Sequence, residues 1–282
     1  MTTVDGGSVG MWSSLAILPS GFPAISYMDT AGADRLKYAW YDGVDWQNTF
    51  VDATPSSGAY TSLGVSPLTG QPYISYTGND DLCFAWYDGS TWHSGIVIDG
   101  DGDVGYYTSL TFLDSGKPII SYWDKTNTNL KYAELVGDDI SDPSHWHKVT
   151  VDSVKNVGEW TSIAVWNNEP VISYYDNTNR HLKLAWRQNG IWQATTIDTG
   201  ANTGQYTSLV IISGKPAVSF RSNGDLKYIT LIGNDPTNPL DWQTSLIDMG
   251  NITYNTLISY GDHPAIAYFD NAQGDFRFAM GF

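Results

Sequence analysis

Trp160-Thr-Ser-Ile-Ala-Val165, Glu169-Pro-Val-Ile-Ser-Tyr-Tyr-Asp176, His181-Leu-Lys-Leu-Ala-Trp186 and Trp192 to Ile197-Asp198 are four short runs in succession. They are rich in β-branched and aromatic residues, which suit pleated, half-buried surfaces, and turn residues separate them. The same order recurs along all 282 residues.

The first run appears at Trp12, Tyr60, Tyr107, Trp160, Tyr206 and Tyr254, with starts 48, 47, 53, 46 and 48 residues apart. The second run begins at a proline each time: Pro23, Pro72, Pro118, Pro170, Pro216 and Pro264. A proline in the first position of a strand costs no ladder hydrogen bond. The third run alternates with the strand period of two, as in Leu36-Lys-Tyr-Ala-Trp40. The fourth opens on Trp46, Trp92, Trp146, Trp192 or Trp242 and closes on Asp52, Asp99, Asp152, Asp198 or Asp248. Copies three and five carry longer turns before that tryptophan.

The sixth copy ends at Phe282 without a fourth run, while Thr2-Thr3-Val4-Asp5 matches the tail Thr195-Thr196-Ile197-Asp198. The N-terminal segment is therefore expected to complete the last unit. Internal repeats of this length with four strands each predict an all-β fold, a six-bladed β-propeller with four antiparallel strands per blade. Its units span about 6–52, 53–99, 100–152, 153–198, 199–248, and 249–282 plus 1–5, in one domain. A linear β-solenoid would not need its sixth unit completed from the other end.

The set Tyr-Thr-Ser-Leu, Pro-x-Ile-Ser-Tyr-x-Asp, Leu-Lys-Tyr-Ala-Trp resembles repeats of secreted or surface-anchored bacterial and archaeal proteins of poorly defined function. The resemblance implies a propeller outside the cell, often part of a larger protein, and it carries no catalytic residues. Met1 runs at once into repeat sequence, as in a domain separated from its leader. Asp88-Gly-Ser-Thr-Trp92 is similar to a sialidase Asp-box turn, but Arg35, Arg180, Arg187, Arg221 and Arg277 share no repeat position.

The net charge of -16 speaks against nucleic acid as a partner, because an acidic surface repels phosphates. Cys83 stands alone, so there is no intramolecular disulfide and no cysteine zinc cluster. No apolar run is long enough for a membrane-spanning helix.

In an up-and-down blade, one end collects the close of run two, the start of run three and the junction between units. Trp12, Tyr60, Tyr107, Trp160, Tyr206 and Tyr254 fall there, with the closing aspartates and the run-two aspartates Asp29, Asp124, Asp176 and Asp270. Aromatic rings beside carboxylates suit sugars, so these aromatics are candidate ligand-binding residues. An aromatic present in every blade also reads as a packing wedge. The closing aspartates also read as structural acceptors of backbone N–H groups. Each run-two aspartate is expected to pair across its hairpin with Lys37, Lys131, Lys183 or Arg277. Trp123 and Tyr175, flanked by Asp124 and Asp176, vary between copies and make the best single patch.

Asp99-Gly-Asp101-Gly-Asp103 has the opening of a calcium loop without the later glutamate, so Asp99, Asp101 and Asp103 are candidate Ca2+ ligands. The leading expectation is a non-catalytic extracellular module that binds a glycan or a cell-surface protein. The alternatives are a polysaccharide hydrolase or lyase using channel-mouth carboxylates, a pair such as Asp124 and Asp176, as acid and base, and a structural spacer.

Overall fold

The computed structural model describes residues 2–282. The chain is all-β and has the six-bladed propeller architecture. The first sheet comprises β1 (Val9–Ile17), β2 (Pro23–Asp29), β3 (Arg35–Tyr41) and β4 (Trp46–Asp52). The second comprises β5 (Ser57–Val65), β6 (Pro72–Gly78), β7 (Asp81–Tyr87) and β8 (Trp92–Asp99). The third comprises β9 (Tyr106–Phe112), β10 (Pro118–Asp124), β11 (Asn129–Leu135) and β12 (Trp146–Asp152). The fourth comprises β13 (Val157–Trp166), β14 (Glu169–Asp176), β15 (His181–Gln188) and β16 (Ile191–Asp198). The fifth comprises β17 (Thr203–Ile212), β18 (Lys215–Ser222), β19 (Asp225–Leu231) and β20 (Trp242–Asp248). The sixth comprises β21 (Ile252–Tyr260), β22 (His263–Asp270) and β23 (Asp275–Met280). Strands neighbour each other in chain order and run antiparallel in every sheet.

The sixth sheet has three strands, so the expected outer strand from Thr2–Asp5 is not part of it. Met1, counted in that strand, lies outside the described residues. Asp5 turns toward the first sheet instead: its carboxylate accepts from Tyr27 Oη at 2.7 Å and pairs with Lys37 Nζ. The chain resolves into two compact units, Met1–Thr126 with Lys131–Val149 and Asn127–Leu130 with Thr150–Phe282.

The second strand of each blade is covered on both faces, which is why it reads Ile-Ser-Tyr rather than apolar-polar. Tyr76, Tyr122 and Tyr174 are fully buried, as are the neighbouring Ser75, Ser121 and Ser173. Burial of each such aromatic contributes about 1.5–3 kcal/mol. Its hydroxyl needs a partner there, and the closing aspartate of the preceding repeat supplies one. Tyr76 donates to Asp52 at 2.6 Å, Tyr122 to Asp99 at 2.7 Å and Tyr174 to Asp152 at 2.7 Å.

The lysines of the third strands join the same carboxylates: Lys131 pairs with Asp99 and Lys183 with Asp152. This corrects the expected hairpin pairs. In the ladder Lys37 stands opposite Tyr27, and Asp29 stands opposite Arg35. Asp29 instead accepts from Ala31 N of its own turn, and Asp176 from Asn179 N. Arg277 keeps the expected contact, with Asp270 at 3.1 Å, while also bonding Asp248.

Candidate functional site

The first and second sheets leave a cleft of about 930 Å³ between them. Tyr38 and Trp40 of β3 form one wall, and Tyr87 with Trp92 at the start of β8 forms the other. Tyr38 and Trp40 stack at 5.7 Å, and Trp92 meets Tyr38 edge-on at 5.1 Å. The floor and rim add Gln71 and Thr91. Among the described residues nothing hydrogen-bonds Tyr38 Oη, Tyr87 Oη or Trp92 Nε1. Burial, and then the neighbouring Tyr87, push the Tyr38 phenol well above its ordinary pKa, so it is a neutral donor and acceptor. Two flat rings and three unengaged polar atoms in one concave site are what a small polar ring with an apolar face requires.

Turn length keeps this cleft open. The second sheet joins β7 to β8 through only four residues, Asp88 to Thr91. Asp88 Oδ1 accepts from Ser90 N at 2.7 Å and Thr91 N at 2.8 Å, and Oδ2 meets His93 Nε2 at 2.7 Å. The His93 bond first, and then the turn bonds, hold the Asp88 carboxyl well below the usual range.

In the third sheet the corresponding turn is longer and contains a short 3-10 helix, Pro143–His145, capped by Asp142. It folds Ile140 against the cluster that holds Phe84 and Trp146. Trp146 Nε1 donates to Ile140 O at 3.2 Å, and Trp146 is 3% exposed. Phe84 and Trp146 meet at 5.0 Å and 60°, nearly the geometry of Tyr38 and Trp92 at 5.1 Å and 62°. The fifth sheet repeats the device with Pro239–Asp241, and Trp242 Nε1 donates to Pro236 O at 2.9 Å.

A lysine clamps each long turn. Lys117 Nζ donates to Val136 O and Gly137 O at 2.7 and 3.0 Å, and Lys215 Nζ donates to Gly233 O at 2.5 Å. Both stand in Gly-Lys-Pro sequences, and the second sheet has Gln71 there. The sequence reading passed over Tyr38, Trp40, Tyr87 and Trp92. The short turn and the missing Gly-Lys-Pro were the available signals, though copies one and four share both with copy two.

The candidates at the other end of the blades are placed differently. Trp12, Tyr60, Tyr107, Trp160, Tyr206 and Tyr254 all have left-handed backbones, with φ between +50° and +55°. In every sheet each falls inside a break in ladder register. Except before Tyr254, where Ile252 stands, a left-handed glycine lies two residues upstream, and a Cβ on Gly58 would lie 2.7 Å from Leu36 Cα.

In the first unit Trp12 meets Tyr60 at 4.0 Å, and Tyr60 meets Tyr107 at 4.7 Å. Trp123 lies 6.1 Å from both Tyr106 and Tyr107, and its Nε1 is buried without a partner. In the second unit Trp160 meets Tyr175 at 5.3 Å and Tyr206 at 5.2 Å, and Tyr206 meets Tyr254 at 5.3 Å. Tyr175 Oη donates to Asn202 Oδ1 at 2.9 Å. The candidate patch of Trp123 with Tyr175 draws on both units. Asp124 and Asp176 are 2% and 3% exposed.

The candidate calcium ligands point to separate partners. Asp99 is buried against Tyr122 and Lys131, Asp103 pairs with Lys125 at 3.3 Å, and Asp101 is exposed. Among the described residues no group of three carboxylates, histidines or cysteines is gathered for a metal. Nor does any described helix have the length and apolarity to cross a membrane.

No protein-family model and no curated protein matches the chain. Solved structures with the same fold do. AofleA from Arthrobotrys oligospora is 14% identical, with a TM-score of 0.64 over 96% of this chain and 85% of that one. The Aleuria aurantia lectin in complex with Fucα1-6GlcNAc is 13% identical, with a TM-score of 0.60 over 95% and 90%. The intramolecular trans-sialidase from Ruminococcus gnavus is 10% identical, with a TM-score of 0.61 over 97% and 94%. At these identities the likeness is one of fold.

Proposed function

We propose that the protein is a non-catalytic glycan-binding module that takes its ligand in the cleft between the first and second sheets. The observation that carries this is the open aromatic cleft itself, lined by Trp92, Tyr38 and Tyr87, whose Nε1–H and hydroxyls have no hydrogen-bond partner among the described residues. A pyranose stacks its C–H face on Trp40 or Trp92 and satisfies those three atoms with its hydroxyls. The fold has hosted this role: the Aleuria aurantia lectin carries Fucα1-6GlcNAc, and the SapL1 lectin carries α-methyl fucoside. A secreted or cell-surface setting accords with such a role.

The hydrolase alternative has less support. Its acid and base, Asp124 and Asp176, are buried at strand ends and not in the cleft. A glycan array read against wild type, Trp40→Ala and Trp92→Ala tests the proposal. Wild-type binding lost in both variants supports it. Binding kept in both variants, or no binding by any, refutes it.

A further inference from the structure

We infer that the cleft selects an uncharged sugar and rejects sugars bearing a carboxylate, sulfate or phosphate. The inference rests on the glycan-binding reading and names its ligand class. None of the sixteen residues that line the cleft is Asp, Glu, Lys, Arg or His, in a chain whose net charge is -16. Arg35 and Lys37 lie against the ring of one lining residue, Phe50, but neither lines the cleft, and Lys37 is paired with Asp5. An anionic sugar entering here sheds water and meets no free lysine, arginine or histidine in the lining.

The filled clefts show what the walls accept. In the equivalent place between the second and third sheets, the occupant is the apolar Ile140 side chain with its carbonyl oxygen on Trp146 Nε1. The fifth sheet's long turn again puts a carbonyl oxygen, that of Pro236, on the corresponding indole. A neutral pyranoside reproduces both features. Its C–H face replaces the isoleucine, and a ring or hydroxyl oxygen accepts from Trp92 Nε1–H.

The test is a titration of the whole chain, followed by tryptophan fluorescence and calorimetry. The ligands are neutral methyl pyranosides (gluco, galacto, manno, fuco, xylo) set against glucuronate, galacturonate, sialyllactose and galactose sulfate. The expected result is binding of neutral sugars only, unchanged between about 0.05 and 0.5 M NaCl. Trp92→Phe, which keeps an aromatic ring and removes the N–H, is expected to weaken that binding about tenfold. Charged sugars bound as well as neutral ones, or affinity that falls with salt, would overturn the selectivity and leave the glycan-binding reading standing. Neutral-sugar binding indifferent to both Trp92→Phe and Trp40→Ala would place the ligand elsewhere and overturn the inference. Absence of binding by every sugar would remove both.

Discussion

The hydroxyl of Thr61 donates to the carbonyl oxygen of Trp12 at 2.9 Å, from the second sheet to the first. The left-handed turn at Trp12 takes that carbonyl out of its own ladder, and the next sheet collects it. Two residues on, Leu63 N donates to Ser14 Oγ at 3.0 Å. The pair of bonds recurs from Thr108 to Tyr60 O and Leu110 N to Ser62 Oγ, and from Thr207 to Trp160 O and Leu209 N to Ser162 Oγ. The Thr-Ser repeat thus joins neighbouring sheets, and the strained aromatic, at about 1–2 kcal/mol each, is part of the joint. Thr61→Val removes the donor while keeping the shape, and leaves Trp12 O and Ser26 Oγ each without one bond. A loss of about 1–3 kcal/mol is expected in denaturant unfolding. No loss would mean that the joint contributes nothing to stability.

Asp152, which closes the fourth run of its repeat, helps set the acid limit of the fold. Burial alone would raise the Asp152 carboxyl, but bonds from Lys183 and Tyr174 outweigh it and hold the pKa below its ordinary value. A carboxyl depressed on folding contributes stability that is complete above the unfolded value, about 4. That stability is lost as pH falls through the lower folded value. Lys183→Met removes the largest favourable contribution and leaves a buried charge with Tyr174 as its main partner. The expected results are a loss of about 3 kcal/mol at neutral pH and an acid-unfolding midpoint moved upward. The double variant Lys183→Met with Asp152→Asn is expected to recover part of the loss. Circular dichroism followed against pH checks both.

The blade strands were legible because each is local: a proline, an alternating run and a turn lie within a dozen residues. The partners of Lys131 and Lys183 were not, because each lies in the preceding repeat. A hairpin partner looked nearer along the chain than Asp99 or Asp152 did. The left-handed backbone of Tyr60 was hidden for the same reason, since its carbonyl is accommodated by Thr108, 48 residues on. The cleft was hidden because its opening depends on a loop that copy two lacks. Comparison of Asp88–Thr91 with the long turn before Trp146 would have located it.

Cys83 takes the place of the lysine found at Lys37, Lys131 and Lys183, and Gly78 takes that of the run-two aspartate. The thiol is 5% exposed, lies 3.7 Å from Gly78 O, and would meet a Cβ on Gly78 at 3.0 Å. Burial, with Asp81 and Asp52 nearby, pushes its pKa up to about 12. At pH 8 the folded protein is expected to resist disulfide-exchange reagents and to react with one equivalent once unfolded. Rapid labelling of the native chain would show that the second sheet opens locally.

The long turn of the third sheet is what separates a filled cleft from an open one, and exchanging turns makes that measurable. Replacing residues 136–145 by Asp-Gly-Ser-Thr, the sequence that joins β7 to β8, removes Ile140 and the acceptor of Trp146 Nε1. The cost expected is about 2–3 kcal/mol, from one hydrogen bond and one buried aliphatic side chain. Trp146, at 3% exposure, becomes accessible to acrylamide quenching. The freed walls, Phe84, Trp86 and Trp146, restore the rings and the indole N–H of the open cleft but have Phe84 and Leu135 where it has Tyr38 and Tyr87, so calorimetry is expected to find one further, weaker site for the ligand that wild type binds. A folded variant whose Trp146 stays protected, with unchanged stoichiometry, would show that the sheets close this gap without the loop.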